Sequence, residues 1–600
     1  MEFSSWWCKP AAYLLCAGML APPVFAFDAS LQGSLEEELR AALEGGSLLI
    51  EQSNAETDVS PQELVSIAQA DYKRMLAVLY DYGYYGADIG ISLDGREASS
   101  ITSVAPPQQV NSAQITITPG KAFRFGRAEI TPIVPGTALP EGFRPGAPAR
   151  LSLLRDAVSA GTTRWRNEGH AKAKLESQTI TARHTDGTLN ARLKLDPGPK
   201  LRFGDLSVSG DSAVRTERIL EIAGLPVGET YSPKELSDAA GRLRRTGAFS
   251  SVAMIEADTI GPGDQLAITA RVVDDKPRRF GFGGEVSTIE GLSLSAFWMH
   301  RNLFGGAERL RVEAEIEGIG GDTGGTDFLL STRYQRPSTF NEDTDLYVLG
   351  EIEQQDEVNF FSRQLTIGTG IERIASDQRS YRLGVALRRA NTRDAFGEDQ
   401  YTLLLLPTGA TFDYRDRLLD ARKGYYLDAE VSPFYAIKGA DNGLLTEVDA
   451  RVYRTFGTET STTFALRGQL GSVIGPGLED APTDFLFYSG GGDTVRGHDY
   501  QSLGVDIGNG QIVGGRSFLG LSAEVRYRTA GSLGYVGFID AGYIGREAFP
   551  DGSGEWQSGA GLGLRYDTPI GPIRFDVAVP TSGGDDTSSW QVYIGIGQAF

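Results

Sequence analysis

Trp590-Gln591-Val592-Tyr593-Ile594-Gly595-Ile596-Gly597-Gln598-Ala599-Phe600 decides the fold. Trp590, Val592, Ile594, Ile596 and Phe600 share one face, broken only by Gln598, and Gln591, Tyr593, Gly595, Gly597 and Ala599 share the other. Successive side chains of a strand point to opposite faces, so one face is greasy and the other small or polar. The same pattern sets Ile573, Phe575, Val577 and Val579 against Arg574, Asp576 and Ala578. It also sets Leu521, Ala523, Val525 and Tyr527 against Ser522, Glu524, Arg526 and Arg528. A soluble sandwich alternates too, but the outer aromatic girdle and the number of such segments favour a transmembrane antiparallel β-barrel with lipid outside and a polar lumen. From about Arg278 onward, short alternating segments are separated by Gly, Asp, Asn and Ser clusters. At roughly 20 residues per strand with its connection, residues 277–600 give about 16 strands, an even number as single-chain bacterial barrels have.

Composition agrees with this reading. A chain of 600 residues is too long for one ordinary core. Its 75 glycines exceed the roughly 7% of an average protein. No apolar run of about 20 residues occurs outside the N-terminus, so helical membrane spans are not expected. A net charge of −21 repels phosphates and excludes a general nucleic-acid partner. Lys9, the apolar stretch Ala11 to Leu20 and the compact Val24-Phe25-Ala26 read as a secretory signal over residues 1–26. The rival reading, a lipoprotein signal at Cys16, places Leu15 where a small residue is needed. Cys8 and Cys16 both lie inside that segment, so residues 27–600 hold neither a disulfide framework nor a cysteine metal site.

The first half repeats. Phe125-Gly126 returns as Phe203-Gly204, and Pro119-Gly120 returns as Pro197-Gly198, each 78 residues later. Between these marks come a first helix (Leu151 to Ala160; Arg215 to Ile222), a second helix stopping at Gly169-His170 or Gly247-Ala248-Phe249, and two strands. Glycine at such a stop permits the positive φ that turns the chain out of a helix. A divergent earlier copy stops at Gly83 after a helix from Pro61 to Tyr82, with strands Ala87 to Leu93 and Gln114 to Thr118. Three α+β modules of order β-α-α-β-β follow, over 27–119, 120–198 and 199–276, with helices packed on one sheet face.

Four motifs, taken in order, resemble the POTRA–barrel family of outer-membrane assembly and translocation proteins. They are Arg301-Asn302-Leu303-Phe304-Gly305-Gly306; Asp413-Tyr414-Arg415-Asp416 with Lys423-Gly424; Gly490-Gly491-Gly492-Asp493-Thr494-Val495-Arg496-Gly497-His498-Asp499-Tyr500; and Phe538-Ile539-Asp540-Ala541-Gly542 with Gly563 to Asp576. The resemblance implies three POTRA modules ahead of the barrel, a count that points to the translocation-and-assembly-module branch. It implies that Phe600 is the signal for the barrel's own insertion. It further implies that the loop motif folds into the lumen, where Arg496 meets acids on late strands. Asp540 is the first expected partner, then Asp576 or Asp567, with Glu524 also facing the lumen. A guanidinium offers five donors in a rigid fork, suited to carboxylates in a partly dehydrated lumen. One departure stands in the loop, where the family's aromatic after Val-Arg-Gly is His498 and an aromatic comes only at Tyr500.

The resemblance also implies a short seam between the first strand, Phe280 to Ser287, and the last, Trp590 to Phe600. Gly281, Gly283, Gly284, Gly595 and Gly597 weaken strand pairing or, alternatively, relieve curvature and crowding. The expected partners are unfolded outer-membrane protein clients of the autotransporter type, membrane lipid, and a TamB-like, inner-membrane-anchored, periplasm-spanning protein docking on the modules. Two rival functions remain open: a two-partner secretion pore, and the barrel anchor of a lipid-transfer bridge. His170, His184, His300 and His498 are scattered, and no nucleophile, phosphate-cradling loop or cofactor motif is present. A non-enzymatic protein without cofactors or metals is expected.

Overall fold

Alternation in the second half is realised as one large antiparallel sheet. On Tyr381, Leu383, Val385 and Leu387 it leaves 42, 52, 40 and 48% of the side-chain-bearing residue exposed, while the intervening Ala386 is buried. Asp576 is fully buried between exposed Phe575 and half-buried Val577. A contiguous apolar outer face of this kind is stable against hydrocarbon, not water. The computed structural model describes residues 27–55, 59–102, 106–287, 291–321, 324–457, 460–569, 571–583 and 590–600. The signal expected over 1–26, with Cys8 and Cys16, lies outside the described residues.

Among the described residues the chain divides into two units, the first mainly residues 27–202 and the second mainly 203–600. In the first unit, β1 (Asp28–Gln32), α1 (Glu37–Gly46), α2 (Leu48–Asn54), α3 (Pro61–Asp81), β2 (Asp88–Leu93), β3 (Arg96–Glu97) and β4 (Ser112–Thr118) form a sheet of order β1-β4-β2-β3. Ser60 caps α3 by accepting from Glu63 N, and Pro61 fills the first helical position. Buried Asp71 accepts from Ser47 Oγ at 2.7 Å and from Leu48 N and Leu49 N at 3.1 Å, capping α2. Then β5 (Arg124–Thr131), α4 (Leu151–Asn167), β6 (Lys174–Arg183) and β7 (Thr188–Asp196) form a sheet of order β5-β7-β6. Two helices were expected here, but α4 runs unbroken through both positions. The helix stops do carry left-handed glycines, Gly83 at φ +86° and Gly169 at φ +101°.

The second unit opens with a third small sheet of order β8-β10-β9, from β8 (Arg202–Ser209), β9 (Phe249–Glu256) and β10 (Gln265–Asp274), with α5 (Thr216–Ala223) and α6 (Pro233–Arg245). The barrel sheet follows, beginning with β11 (Arg278–Ser287), β12 (Gly291–His300), β13 (Arg309–Ile319), β14 (Asp327–Arg336), β15 (Thr344–Asp356) and β16 (Phe361–Ser376). It continues with β17 (Arg379–Asp394), β18 (Gly397–Leu405), β19 (Thr408–Asp413), β20 (Gly424–Lys438), β21 (Gly443–Phe456) and β22 (Ser461–Ile474). An insert, 475–516, carries the small pair β23 (Val505–Asp506) and β24 (Ile512–Val513). The sheet closes its run with β25 (Ser517–Arg528), β26 (Leu533–Gly545), β27 (Glu555–Tyr566), β28 (Ile573–Ser582) and β29 (Gln591–Ile596). Among the described residues this gives 17 segments in chain order. Both β18 and β19 pair with β17 on one side and β20 on the other, so they occupy one place in the sheet. The break falls at Pro407, which has no N–H for a ladder.

The third small domain is tied to the barrel's near-end turns by arginines. Arg215 N donates to Gly305 O at 2.9 Å, and Arg218 Nη2 to Pro337 O at 2.7 Å. Arg242 Nε and Arg245 Nη2 reach Asp343 Oδ1 at 3.0 and 3.1 Å. Partial burial pushes the Asp343 carboxyl up, but Arg242 and Arg245 outweigh it and hold the group below the usual carboxylate range. A depressed folded value stabilises this contact above the unfolded pKa of about 3.9 and withdraws the stabilisation as pH falls through the folded value. Asp343→Asn is expected to cost about 1.5–3 kcal/mol, as for a hydrogen bond to a charged group. Hydrogen exchange should show α6 loosened in that variant at neutral pH, and in the wild type only below about pH 4. Equal exchange in the two proteins at pH 7 would show that Asp343 does not hold the domain.

Candidate functional site

Residues 490–498 lie inside the barrel against β26 to β29. Arg496 is 3% exposed and makes a fork on Asp540, with Nε to Oδ2 at 2.7 Å and Nη2 to Oδ1 at 3.0 Å. Its Nη1 donates to Glu524 Oε1 at 2.8 Å and to Asp576 Oδ2 at 3.4 Å. The guanidinium carbon stands 3.6 Å from the Phe538 ring centroid, a cation–π stack. Two more arginines complete the cluster. Arg526 Nε donates to Glu524 Oε2 at 2.7 Å, and Arg565 Nη1 to Asp576 Oδ1 at 2.5 Å. Three guanidinium groups thus face three carboxylates, all buried. Buried charges persist when each is paired and hydrogen-bonded, and removing one partner strands the others.

Of the four acids named from the sequence, Asp540, Glu524 and Asp576 surround Arg496 and Asp567 does not. Asp567 follows the last residue of β27 and sits in the near-end turn, where Arg528 Nη2 donates to it at 2.7 Å. The other motif residues dock the same tip. Val495 is fully buried. Gly497 has φ +100°, and a Cβ there would lie 2.7 Å from Val579 backbone, so only glycine fits this approach. Its N–H donates to Tyr593 Oη at 3.1 Å. His498, in the family's aromatic position, is buried with Nε2 2.9 Å from Ser558 O. Asp499 accepts from Gln591 at 2.7 Å, and Tyr500 Oη reaches Glu357 at 3.0 Å in the β15–β16 loop. The loop tip therefore touches β29, one side of the seam.

The sheet has two ends, β11 and β29, which lie beside each other. The first strand begins at Arg278, two residues earlier than expected. The last is shorter than expected: β29 has 6 residues, Gln591–Ile596, and stops before Gly597. Gly597 adopts φ +96° and turns the chain inward. Gln598 N then donates to Leu419 O at 3.0 Å, and Gln598 Nε2 to Asp420 Oδ1 at 3.0 Å. The strand alternation expected to place Phe600 in lipid ends here. Phe600 is 8% exposed inside the barrel, packed with Ala421, Tyr453 and Ala465. Arg526 Nη2 donates to Phe600 O at 2.9 Å. Arg526 also holds Glu524, so one carboxylate joins the loop clamp to residues 597–600, a link that no sequence motif announced.

The seam glycines divide by surroundings. A Cβ on Gly281 would lie 2.2 Å from the Phe297 ring, and one on Gly283 2.5 Å from Ser295 Oγ, so these relieve crowding against β12. Gly284 has room, with its nearest neighbour at 3.5 Å. Gly595 lies 2.9 Å from Arg574 Nε by the same construction. The segment 414–423 that receives residues 597–600 is built by the mid-barrel motif. Arg415 forks onto Asp413 at 2.9 and 2.7 Å, and Asp416 Oδ1 accepts from Arg422 N and Lys423 N.

Comparison with known proteins places these features in a family. Residues 302–600 match the Omp85 superfamily domain, and residues 201–274 match the POTRA family described as a surface antigen variable number repeat. The chain is 22% identical over 533 residues to the chloroplastic outer envelope protein 80 of Arabidopsis thaliana, covering 80% of this chain and 67% of that protein. It is 24% identical over 442 residues to the outer membrane protein assembly factor BamA of Nitratidesulfovibrio vulgaris, covering 70% of this chain and 53% of that protein. It thus spans about two thirds of the first relative and about half of the second. In fold it is similar to the crystal structure of BamA from Haemophilus ducreyi lacking POTRA domains 1–3, at a TM-score of 0.61 and 16% identity, over 79% of this chain and 99% of that one.

Proposed function

The chain is an Omp85-superfamily protein with a POTRA domain, and from that premise we propose that it assembles other β-barrel proteins at the seam between β11 and β29. The barrel lies in the outer membrane and the POTRA domain in the periplasm. The observation that carries the proposal is the shortened β29, ended at Gly597 and held inward by Leu419 and Asp420. A short edge strand leaves backbone groups next to it for an incoming strand to pair with, which is how β-augmentation works.

The finer reading is a TamA-like factor. Residues 27–119 and 120–198 serve as two further POTRA modules, and β18 with β19 counts as one strand of a 16-stranded barrel. Autotransporter-type proteins are its clients, and a TamB-like periplasm-spanning protein docks on module sheet edges. The lumen insert weighs against a two-partner secretion pore, because a soluble cargo would have to share the lumen with it. Depleting the protein and measuring two quantities tests the reading. Surface-displayed autotransporter is expected to fall at least five-fold while the lipid asymmetry of the outer membrane holds. Normal display with disturbed lipid would replace assembly by the lipid-bridge function.

A further inference from the structure

The insert 475–516 carries the Arg496 clamp at its tip, yet its base is also fixed, and to a different wall. Asp484, whose side chain is 2% exposed, accepts from Arg388 Nη1 of β17 at 2.9 Å and from the Tyr401 hydroxyl of β18. Thr483 Oγ1 donates to Asp394 Oδ2 at 3.2 Å and lies 3.4 Å from Thr392 Oγ1, both on β17. The Phe485 ring meets Phe434 of β20 edge-on at 5.2 Å and lies under the Arg388 guanidinium at 5.3 Å. Leu478, Phe485 and Leu486 are buried against Leu403, Phe434 and Val473. An apolar cluster inside a polar lumen is the local equivalent of a domain core. Around the sheet, β20, β21, β22, β25 and β26 separate β18 from β27, the strand beside the tip.

The stretch between the anchors is itself paired. Phe487 and Gly515 exchange backbone hydrogen bonds at 2.8 and 2.7 Å, and Ser489 and Leu503 exchange them at 3.0 and 2.9 Å. Beyond them β23 pairs with β24. Two limbs joined in this way transmit force between their ends, as a flexible loop does not.

We propose that residues 475–516 are a fixed cross-brace of the lumen, with Arg388, Tyr401 and Asp484 as a second, base anchor opposite the Arg496 clamp. Leaving the lumen would require breaking two separate buried networks at once, so the brace stays seated while clients are handled. The lumen is then not a conduit that empties in the working cycle. Arg388 and Asp484 act as positioning residues: they set where the base of the insert stands, and through the paired limbs where Arg496 arrives. This inference rests on the proposed assembly function.

Thr392→Cys with Thr483→Cys tests it, because the two hydroxyl oxygens already stand 3.4 Å apart and residues 27–600 hold no other cysteine. In whole cells the disulfide should form in most of the folded protein. Display of an autotransporter client should stay within three-fold between oxidised and reduced cells. A fall of more than three-fold on oxidation, restored by reductant, would mean that the insert must leave this wall, and would overturn the brace. Absence of the disulfide in folded, membrane-inserted protein would overturn it too. The reduced double variant, compared with wild type, reports any folding defect separately. Failure of the assembly function itself would show in a different arm, as unchanged client display when the wild type is depleted.

Discussion

Arg496→Ala is expected to reach the outer membrane yet lose about 3–5 kcal/mol of stability and most client assembly. Three buried guanidinium groups balance Glu524, Asp540 and Asp576. Alanine leaves Asp540 facing no cation within the cluster, while Glu524 and Asp576 keep Arg526 and Arg565. An unpaired carboxylate at 1% exposure is far costlier than the hydrogen bonds lost. The tip would come off β26 and release its contact with Tyr593 of β29. Arg496→Lys restores the charge but not the fork onto Asp540, nor the flat stack on Phe538, so an intermediate loss is expected. Urea unfolding of the membrane-inserted barrel measures the first effect and client display the second. Wild-type values in both would remove the clamp from the mechanism.

A disulfide across the seam is expected to stop assembly almost completely, by ten-fold or more, and reversibly. The pair belongs at the closest approach between Phe280–Gly284 of β11 and Val592–Ile596 of β29. Cross-linking ties the two edge strands together, so a client strand can no longer insert between them. The effect should be larger than that of any single contact, because it blocks the proposed path outright. Reductant should return activity within the same sample, which separates blockage from misfolding. Full assembly by the oxidised protein would close the case against a lateral seam.

Much of the barrel was legible because a period of two survives in short segments. The set Ile573, Phe575 and Val579 against Asp576 is as alternation demands, since each residue faces either lipid or lumen. Arg496 beside Asp540 was legible only through the resemblance, as the two are 44 residues apart and nothing local pairs them. The inward turn at Gly597 was not foreseen: Phe600 continues the apolar register, and its burial is decided by Arg526 and by Tyr453 from distant strands. Asp567 departs from the lumen position its sequence suggests for the related reason that a strand-end acid faces whichever arginine the turn presents, here Arg528. Asp484 gave no signal at all, because Arg388 lies 96 residues away and shares no motif with it. In the modules, the Gly83 and Gly169 stops were readable from helix-end chemistry, whereas the unbroken α4 shows that a length of helix is settled by packing on its sheet.

Reconstitution tests the assembly function most directly. The purified protein is placed in liposomes, an unfolded autotransporter-type barrel is added, and protease-protected, heat-modifiable client is measured over time. Folding at least ten-fold faster than in empty liposomes, and lost when the seam is cross-linked, is the predicted result. Folding at the rate of empty liposomes would contradict assembly at the seam.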